Sequence, residues 1–306
     1  MYLLNTLIHF FDHIFLLRPT LWIPVWVFFL LGHCRGADAN FWTVEFWTAF
    51  LLYTILMGGV YVINQIVDIE SDRINKKLYL LPEGYIKVSH AWIEVGTLFA
   101  LAWILAIPFT KEFKIILLLS MILGILYSVP PFKFKGRPIF DLLSNSSGYG
   151  MLAFSLGWVT GAPFSKLTII YSLPYFFAVG AVFINTTIPD IEGDKRTNEI
   201  TTGIFLGESK SYWVSTAFIF ISLGLSIWVK DWICGIAAGC AVPLFLVAAI
   251  RQNLRWCFIS IRVSAPILAI LVGIKFWWFI PLLLIIFLSM RIYYKYRFNI
   301  TYPKIV

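Results

Sequence analysis

The chain has 306 residues, of which 60% are hydrophobic and only 13% charged, with a net charge of +8. Its mean hydropathy is +0.84, so a water-soluble fold of this size would have to hide more apolar surface than it can, and the bilayer must serve as solvent. The basic excess does not point to nucleic acid, because loop Lys and Arg are what membrane topology requires.

In chain order, the first 17 residues carry His9, Asp12 and His13 among Leu, Ile and Phe, which fits an interfacial helix and lacks the marks of a cleaved secretory signal. Apolar blocks of the length needed to cross a bilayer follow at 16–34, 44–67, 91–109, 114–130, 139–160, 167–188, 211–229 and 232–250. The stretch 259–292 contains Arg262 and Lys275 and reads as one long tilted helix or two short ones, giving nine spans or ten. The expected fold is therefore an all-α, polytopic membrane helical bundle forming a single domain over 1–306. Its two pseudo-repeated halves are 14–130 and 139–250, with a C-terminal span region at 259–292.

Loop charge is unequal. Arg73, Lys76, Lys77, Lys87, Lys133, Lys135, Arg137, Lys195, Arg196, Lys210, Arg251, Arg255 and Arg262 lie on one side, against Arg35, Lys111, Lys114, Lys166 and Lys230 on the other. The richer side is expected to be cytoplasmic. Cys34, Cys234, Cys240 and Cys257 have no paired spacing and are expected to be packing residues, as are the dispersed histidines.

Six of the sixteen acidic residues fall in two short segments, Asp68-Ile69-Glu70-Ser71-Asp72 and Asp190-Ile191-Glu192-Gly193-Asp194. Each is followed by a base, each has an Asn just upstream, and each closes a hydrophobic span. Their offset of 122 residues implies an internal duplication in which each half gives one motif to a shared site. On a helix, residues four apart share a face, so Asn64, Asp68 and Asp72 align, as do Asp190 and Asp194, while Glu70 and Glu192 point elsewhere. Two such carboxylates about 6 Å apart repel by roughly 3 kcal/mol at an effective dielectric near 20. A divalent cation removes that cost, and these hard oxygen donors suit Mg²⁺, which completes its shell with water and substrate phosphate. The bland alternative is a pair of solvated loop acids paired with Arg73, Lys195 and Arg196.

The loop Tyr127-Ser128-Val129-Pro130-Pro131-Phe132-Lys133-Phe134-Lys135-Gly136-Arg137-Pro138 offers cations to a departing diphosphate. Topology alone would also place such a basic loop here.

These motifs resemble those of the UbiA superfamily of intramembrane prenyltransferases: Asn64, Asp68 and Asp72 match its first acidic motif and Asp190 and Asp194 its second. The Tyr127 to Lys133 run, Asn145 and Leu206-Gly207 are also similar to many members. The resemblance implies nine helices around a central cavity. It further implies Mg²⁺ bound by Asn64, Asp68, Asp72, Asp190 and Asp194, with Arg73, Tyr127, Lys133, Lys195 and Asn145 assisting at the substrate. The implied activity is transfer of a prenyl group from an isoprenoid diphosphate to a lipophilic acceptor, with a terpene cyclase of the same site chemistry or a cation-coupled transporter as competing readings. The chain departs from the family where Tyr79 stands in place of the usual Arg and Ile200-Thr201 in place of Lys-Thr. The Arg18-Pro19-Thr20-Leu21-Trp22 start of the first span looks more like the chlorophyll-synthase and lycopene-elongase-like branches.

Overall fold

The computed structural model describes residues 2–37, 41–74, 78–196 and 200–302. Lys76 and Lys77, named above among the loop cations, lie outside these residues. Among the described residues the regular structure is entirely helical, as it must be where no water can satisfy a backbone away from a helix or a closed barrel.

A short helix α1 (Tyr2–Leu16) leads into α2 (Pro19–Ala37) through a 43° bend. Pro19 opens α2, where its missing N–H costs nothing, and Arg18 before it takes a left-handed φ of 54°. Next come α3 (Val44–Val67), the six-residue α4 (Ile69–Ile74), α5 (Val88–Leu105) and α6 (Lys111–Ser128). The predicted span at 139–160 is a composite: α7 (Phe140–Asn145) runs into a π-helical segment (Ser146–Ala153) and then α8 (Phe154–Trp158). The second half repeats the plan with α9 (Lys166–Thr187), the six-residue α10 (Ile191–Arg196), α11 (Thr202–Leu206), α12 (Glu208–Trp228) and α13 (Trp232–Arg251). The ambiguous stretch at 259–292 is two helices, α14 (Leu254–Lys275) and α15 (Phe279–Phe298).

Seven of these helices (α3, α5, α9 and α12–α15) are each long and apolar enough to cross a membrane, and the bent α1–α2 pair makes an eighth. The chain is an integral membrane protein. In α6 the charges of Lys111, Glu112 and Lys114 crowd the first turn, and the π segment divides the helical run that holds α7 and α8.

The bundle is held by close backbone packing, since lipid offers little hydrophobic drive between helices. At the α2–α8 contact a Cβ on Gly32 would lie 1.8 Å from the Phe154 carbonyl oxygen, and one on Gly157 would lie 1.9 Å from that of Phe29. Both obstacles are backbone, so neither can swing aside. We expect Gly32→Ala to destabilise the fold by about 1–3 kcal/mol, the usual cost of overpacking, read as a lower midpoint in detergent-induced unfolding. An unchanged midpoint would show that the two backbones part freely.

The final helix ties back to the first. Asp12, fully buried, accepts from the Tyr293 hydroxyl at 2.5 Å and from Arg297 at 3.0 and 3.1 Å. Phe15 stacks on Tyr293 at 3.8 Å. The Arg297 guanidinium lies 4.4 Å over Tyr85, and Tyr79 packs on Phe298. Buried Leu80, Leu81 and Ile86 seat this loop on the core.

Candidate active site

The central helix α3 carries the first acidic motif at its C-terminal end. Asp68 caps the helix, its N–H bonded to the Asn64 carbonyl, and the Asp72 N–H donates to the Asp68 carbonyl at 2.8 Å. The break between α3 and α4 therefore keeps the one-turn register that aligns the two carboxylates. The second motif has the same build: α9 ends, Asp190 follows, and the Asp194 N–H donates to the Asp190 carbonyl at 2.8 Å on the way into α10.

The upstream asparagines differ. Asn64 stands four residues before Asp68, whereas Asn185 stands five before Asp190, a shift of about 100° around a helix. Asn64 faces the motif: its amide donates to Asp68 at 3.1 Å and to Ser128 at 3.0 Å, and its oxygen accepts from Arg18 at 3.4 Å. Asn185 is fully buried and turned inward, donating to Ser260 and accepting from Ser215. It ties α9 to α12 and α14.

A cavity of about 420 Å³ opens beside Asp68. Its mouth presents Arg18, Asn64, Asp68, Ser128 and Lys135. Its depth is walled by Tyr53, Met57, Val60 and Tyr61 of α3, Ser120, Leu123, Gly124 and Tyr127 of α6, and Asn145, Gly148 and Tyr149 around the π segment. On α3 the lining positions recur at three- and four-residue steps, one face of the helix. The Tyr61 and Tyr149 hydroxyls meet at 3.1 Å, and Tyr61 also donates to the Leu21 carbonyl. Tyr127 lines the cavity with Asn145, whose amide donates to the Asp141 carbonyl at 2.9 Å. All four aromatic rings lining the cavity are tyrosines. Trp26, Phe46, Phe50 and Trp278 instead pack together in the core around Phe29 and Phe279.

Asp68, Asn64, Tyr127 and Asn145 all line the cavity. Lys135, not Lys133, is the loop cation that reaches it, its ammonium held by both carboxylate oxygens of Asp68. The loop returns on itself there: Lys133 takes a left-handed φ of 38°, a 3₁₀ turn follows at Phe134–Gly136, and Arg137 donates to the Pro131 carbonyl at 2.6 Å. Arg73 points away, bonded to Glu70 at 2.9 Å and to the Pro82 carbonyl at 3.1 Å. Asp190 and Lys195 are exposed, and Asp194 accepts from Thr201 at 3.0 Å. None of Asp72, Asp190 and Asp194 lines the cavity, and among the described residues no three acidic, His or Cys groups gather tightly enough to hold an ion by themselves.

The two motifs are nevertheless joined through the basic loop. Lys135 engages Asp68 on one side, while on the other the Gly136 carbonyl accepts from the Ile200 N–H just beyond the second motif. Asp141 completes this junction and was not among the expected site residues. Fully buried, it accepts from the Leu142 and Thr202 N–H groups at 2.7 Å each and from the Thr202 hydroxyl. Arg18 was also missed, and its signal was slight: one cation just before the proline that opens α2.

A membrane-embedded helical bundle of duplicated build, with an acidic turn closing a long helix in each half and a charged-mouthed cavity beside the first, is a defined class of architecture. The chain belongs to the UbiA prenyltransferase family, whose sequence profile matches residues 21–256. It is similar to a probable homogentisate phytyltransferase 2 of Oryza sativa subsp. japonica, 30% identical over 67% of this chain and 54% of that protein. A digeranylgeranylglyceryl phosphate synthase of Sulfolobus acidocaldarius is 34% identical over 61% of this chain and 66% of that one. The chain spans about half the length of the plant relatives it matches. Among solved structures, a UbiA homologue from Archaeoglobus fulgidus bound to GPP and Mg²⁺ shares the fold, with a TM-score of 0.70 and 24% identity over 87% of this chain and 98% of that one.

Proposed function

We propose that this chain is a Mg²⁺-dependent intramembrane prenyltransferase that moves a prenyl group from an isoprenoid diphosphate to a lipophilic acceptor, aromatic or other lipid. One observation carries the reading: a single cavity joins a mouth of Arg18, Lys135, Asn64 and Asp68 to a depth of tyrosine rings and aliphatic side chains. One end suits a diphosphate and the other a hydrocarbon chain. The loop excess of Lys and Arg supports a cytoplasmic mouth.

The donor set fits Mg²⁺. Asp68 already gathers an ammonium and an amide N–H, as expected of a carboxylate whose charge needs compensation, and the remaining candidates are all hard oxygen donors. Asp68, Asp72, Asp190 and Asp194, with the Asn64 oxygen, would hold the ion. When bound it neutralises diphosphate charge and favours its departure.

The chain's own groups do the rest. Arg18 and Lys135 present positive charge where the leaving diphosphate becomes more negative, with Lys133 and Lys195 adding more distant positive charge. Tyr127 and Asn145 orient the donor below its diphosphate. The rings of Tyr61, Tyr127 and Tyr149 offer their faces to the allylic cation, and the packed wall keeps water from it.

The test uses purified protein in lipid nanodiscs with a panel of prenyl diphosphates and a membrane lipid extract, with Mg²⁺ or with EDTA. Diphosphate release together with a lipid heavier by one prenyl group, abolished by EDTA, is expected. Absence of release with every donor overturns the proposal, as does a cyclised hydrocarbon formed without acceptor.

A further inference from the structure

The wall positions let the size of the donor be read, given that the prenyltransferase reading holds. On α3 the cavity runs from Asn64 at the mouth to Tyr53, about 16 Å along the axis at 1.5 Å per residue. Each isoprene unit adds four carbon–carbon bonds of about 1.5 Å, so an extended unit reaches about 5 Å. The depth takes about three units. Volume agrees independently: a cavity of about 150 Å³ accepts one benzene, so one of about 420 Å³ has room for about 17 carbon-sized atoms.

The far end is closed. Tyr53 is 2% exposed, it lines the cavity together with Ser120 of α6, and its ring lies 6.3 Å from that of the fully buried Phe29. One turn further from the mouth, Ala49 and Phe50 on α3 and Ile116 and Leu117 on α6 are buried in the main core. Their packing fills the bundle directly beyond Tyr53. Val60 and Gly124 set the width above this floor, since a Cβ on Gly124 would come within 2.5 Å of Val60.

We infer that the Tyr53–Ser120 pair is the floor of the donor site and limits the donor to two or three isoprene units, a geranyl or farnesyl diphosphate. Geranylgeranyl and solanesyl diphosphates exceed the space between Tyr53 and the charged mouth.

The experiment compares kcat/KM for geranyl, farnesyl, geranylgeranyl and solanesyl diphosphates, read as diphosphate release from the full chain in nanodiscs. A misfit of even one methylene is worth about tenfold or more, so the drop from farnesyl to geranylgeranyl should be at least about tenfold. Tyr53→Ala should lower the floor and raise the geranylgeranyl-to-farnesyl ratio by at least about tenfold. Ser120→Leu should raise it and shift preference to geranyl. A wild-type protein that uses geranylgeranyl or solanesyl diphosphate as well as farnesyl overturns the floor and leaves prenyl transfer standing. Silence with all four donors defeats prenyl transfer itself. Should Tyr53→Ala not accumulate, the wild-type series and Ser120→Leu decide the matter.

Discussion

Asp68→Ala is expected to reduce Mg²⁺-dependent diphosphate release at least about a hundredfold, the scale seen when a group stabilising developing charge is removed. Asp68 is where the polar contacts of the mouth converge: it accepts from Asn64 at 3.1 Å and holds the Lys135 ammonium with both oxygens. Its loss removes a metal-binding oxygen and frees Lys135 at once. The Asp68 and Lys135 side chains are 19% and 14% exposed, so part of their attraction is screened and the fold should lose little. Kinetics and stability therefore separate. Release measured in a single turnover should collapse while the unfolding midpoint stays near wild type. Asp68→Asn, which keeps the shape and one oxygen, should fall nearly as far. Release within threefold of wild type in either variant would sink the assignment of Asp68 to the metal.

What the sequence made legible was what repeats. Asp68 and Asp72, and Asp190 and Asp194, could be read because a four-residue spacing means one helix face whether or not a membrane surrounds it, and the N–H bonds from Asp72 to Asp68 and from Asp194 to Asp190 keep that register. The divergence of the two asparagines was also written there, in a spacing of four residues against five. Less could be read from residues whose meaning depends on rotation of a helix that is apolar all round. Tyr53, Tyr61, Tyr127 and Tyr149 look like any other aromatics among the 14 Tyr, 28 Phe and 13 Trp. Only the phase of α3, α6 and the π segment turns them to the cavity. That π segment leaves no mark in composition, since one hydrogen-bond step from i+4 to i+5 needs no special residue. Lys133 and Lys135 could not be ranked either, because their order is set by a left-handed turn at Lys133. The C-terminal stretch resolved into two helices at the Lys275-Phe276-Trp277-Trp278 corner, where α14 ends and the Phe276 N–H closes on the Val272 carbonyl.

Asp141 is the residue whose importance no motif announced, and its replacement should have the second large effect. Its carboxylate is fully buried at the start of α7, where the free N–H groups of a helix start favour negative charge, and it gathers three donors: the Leu142 N–H, the Thr202 N–H and the Thr202 hydroxyl. Thr202 in turn accepts from the N–H of Ile139 at 2.8 Å. Ile139 is a β-branched residue at φ 70°, a conformation that costs about 1–3 kcal/mol and persists only where its surroundings hold it. The cluster therefore fixes the turn into α7 and anchors the segment following the second acidic motif, Thr201 of which bonds Asp194. In Asp141→Ala the two N–H groups lose their acceptor in a buried site at about 1–3 kcal/mol each, so the fold should lose about 3 kcal/mol or more. Asp141→Asn retains one accepting oxygen and should recover part of that loss. Because Asp141 touches neither mouth cation, protein that survives should bind the donor with a KM near wild type and turn it over more slowly, through a displaced second motif. A variant of unchanged unfolding midpoint and unchanged kcat would show that Thr202 finds other partners and that the two motifs are positioned independently of Asp141.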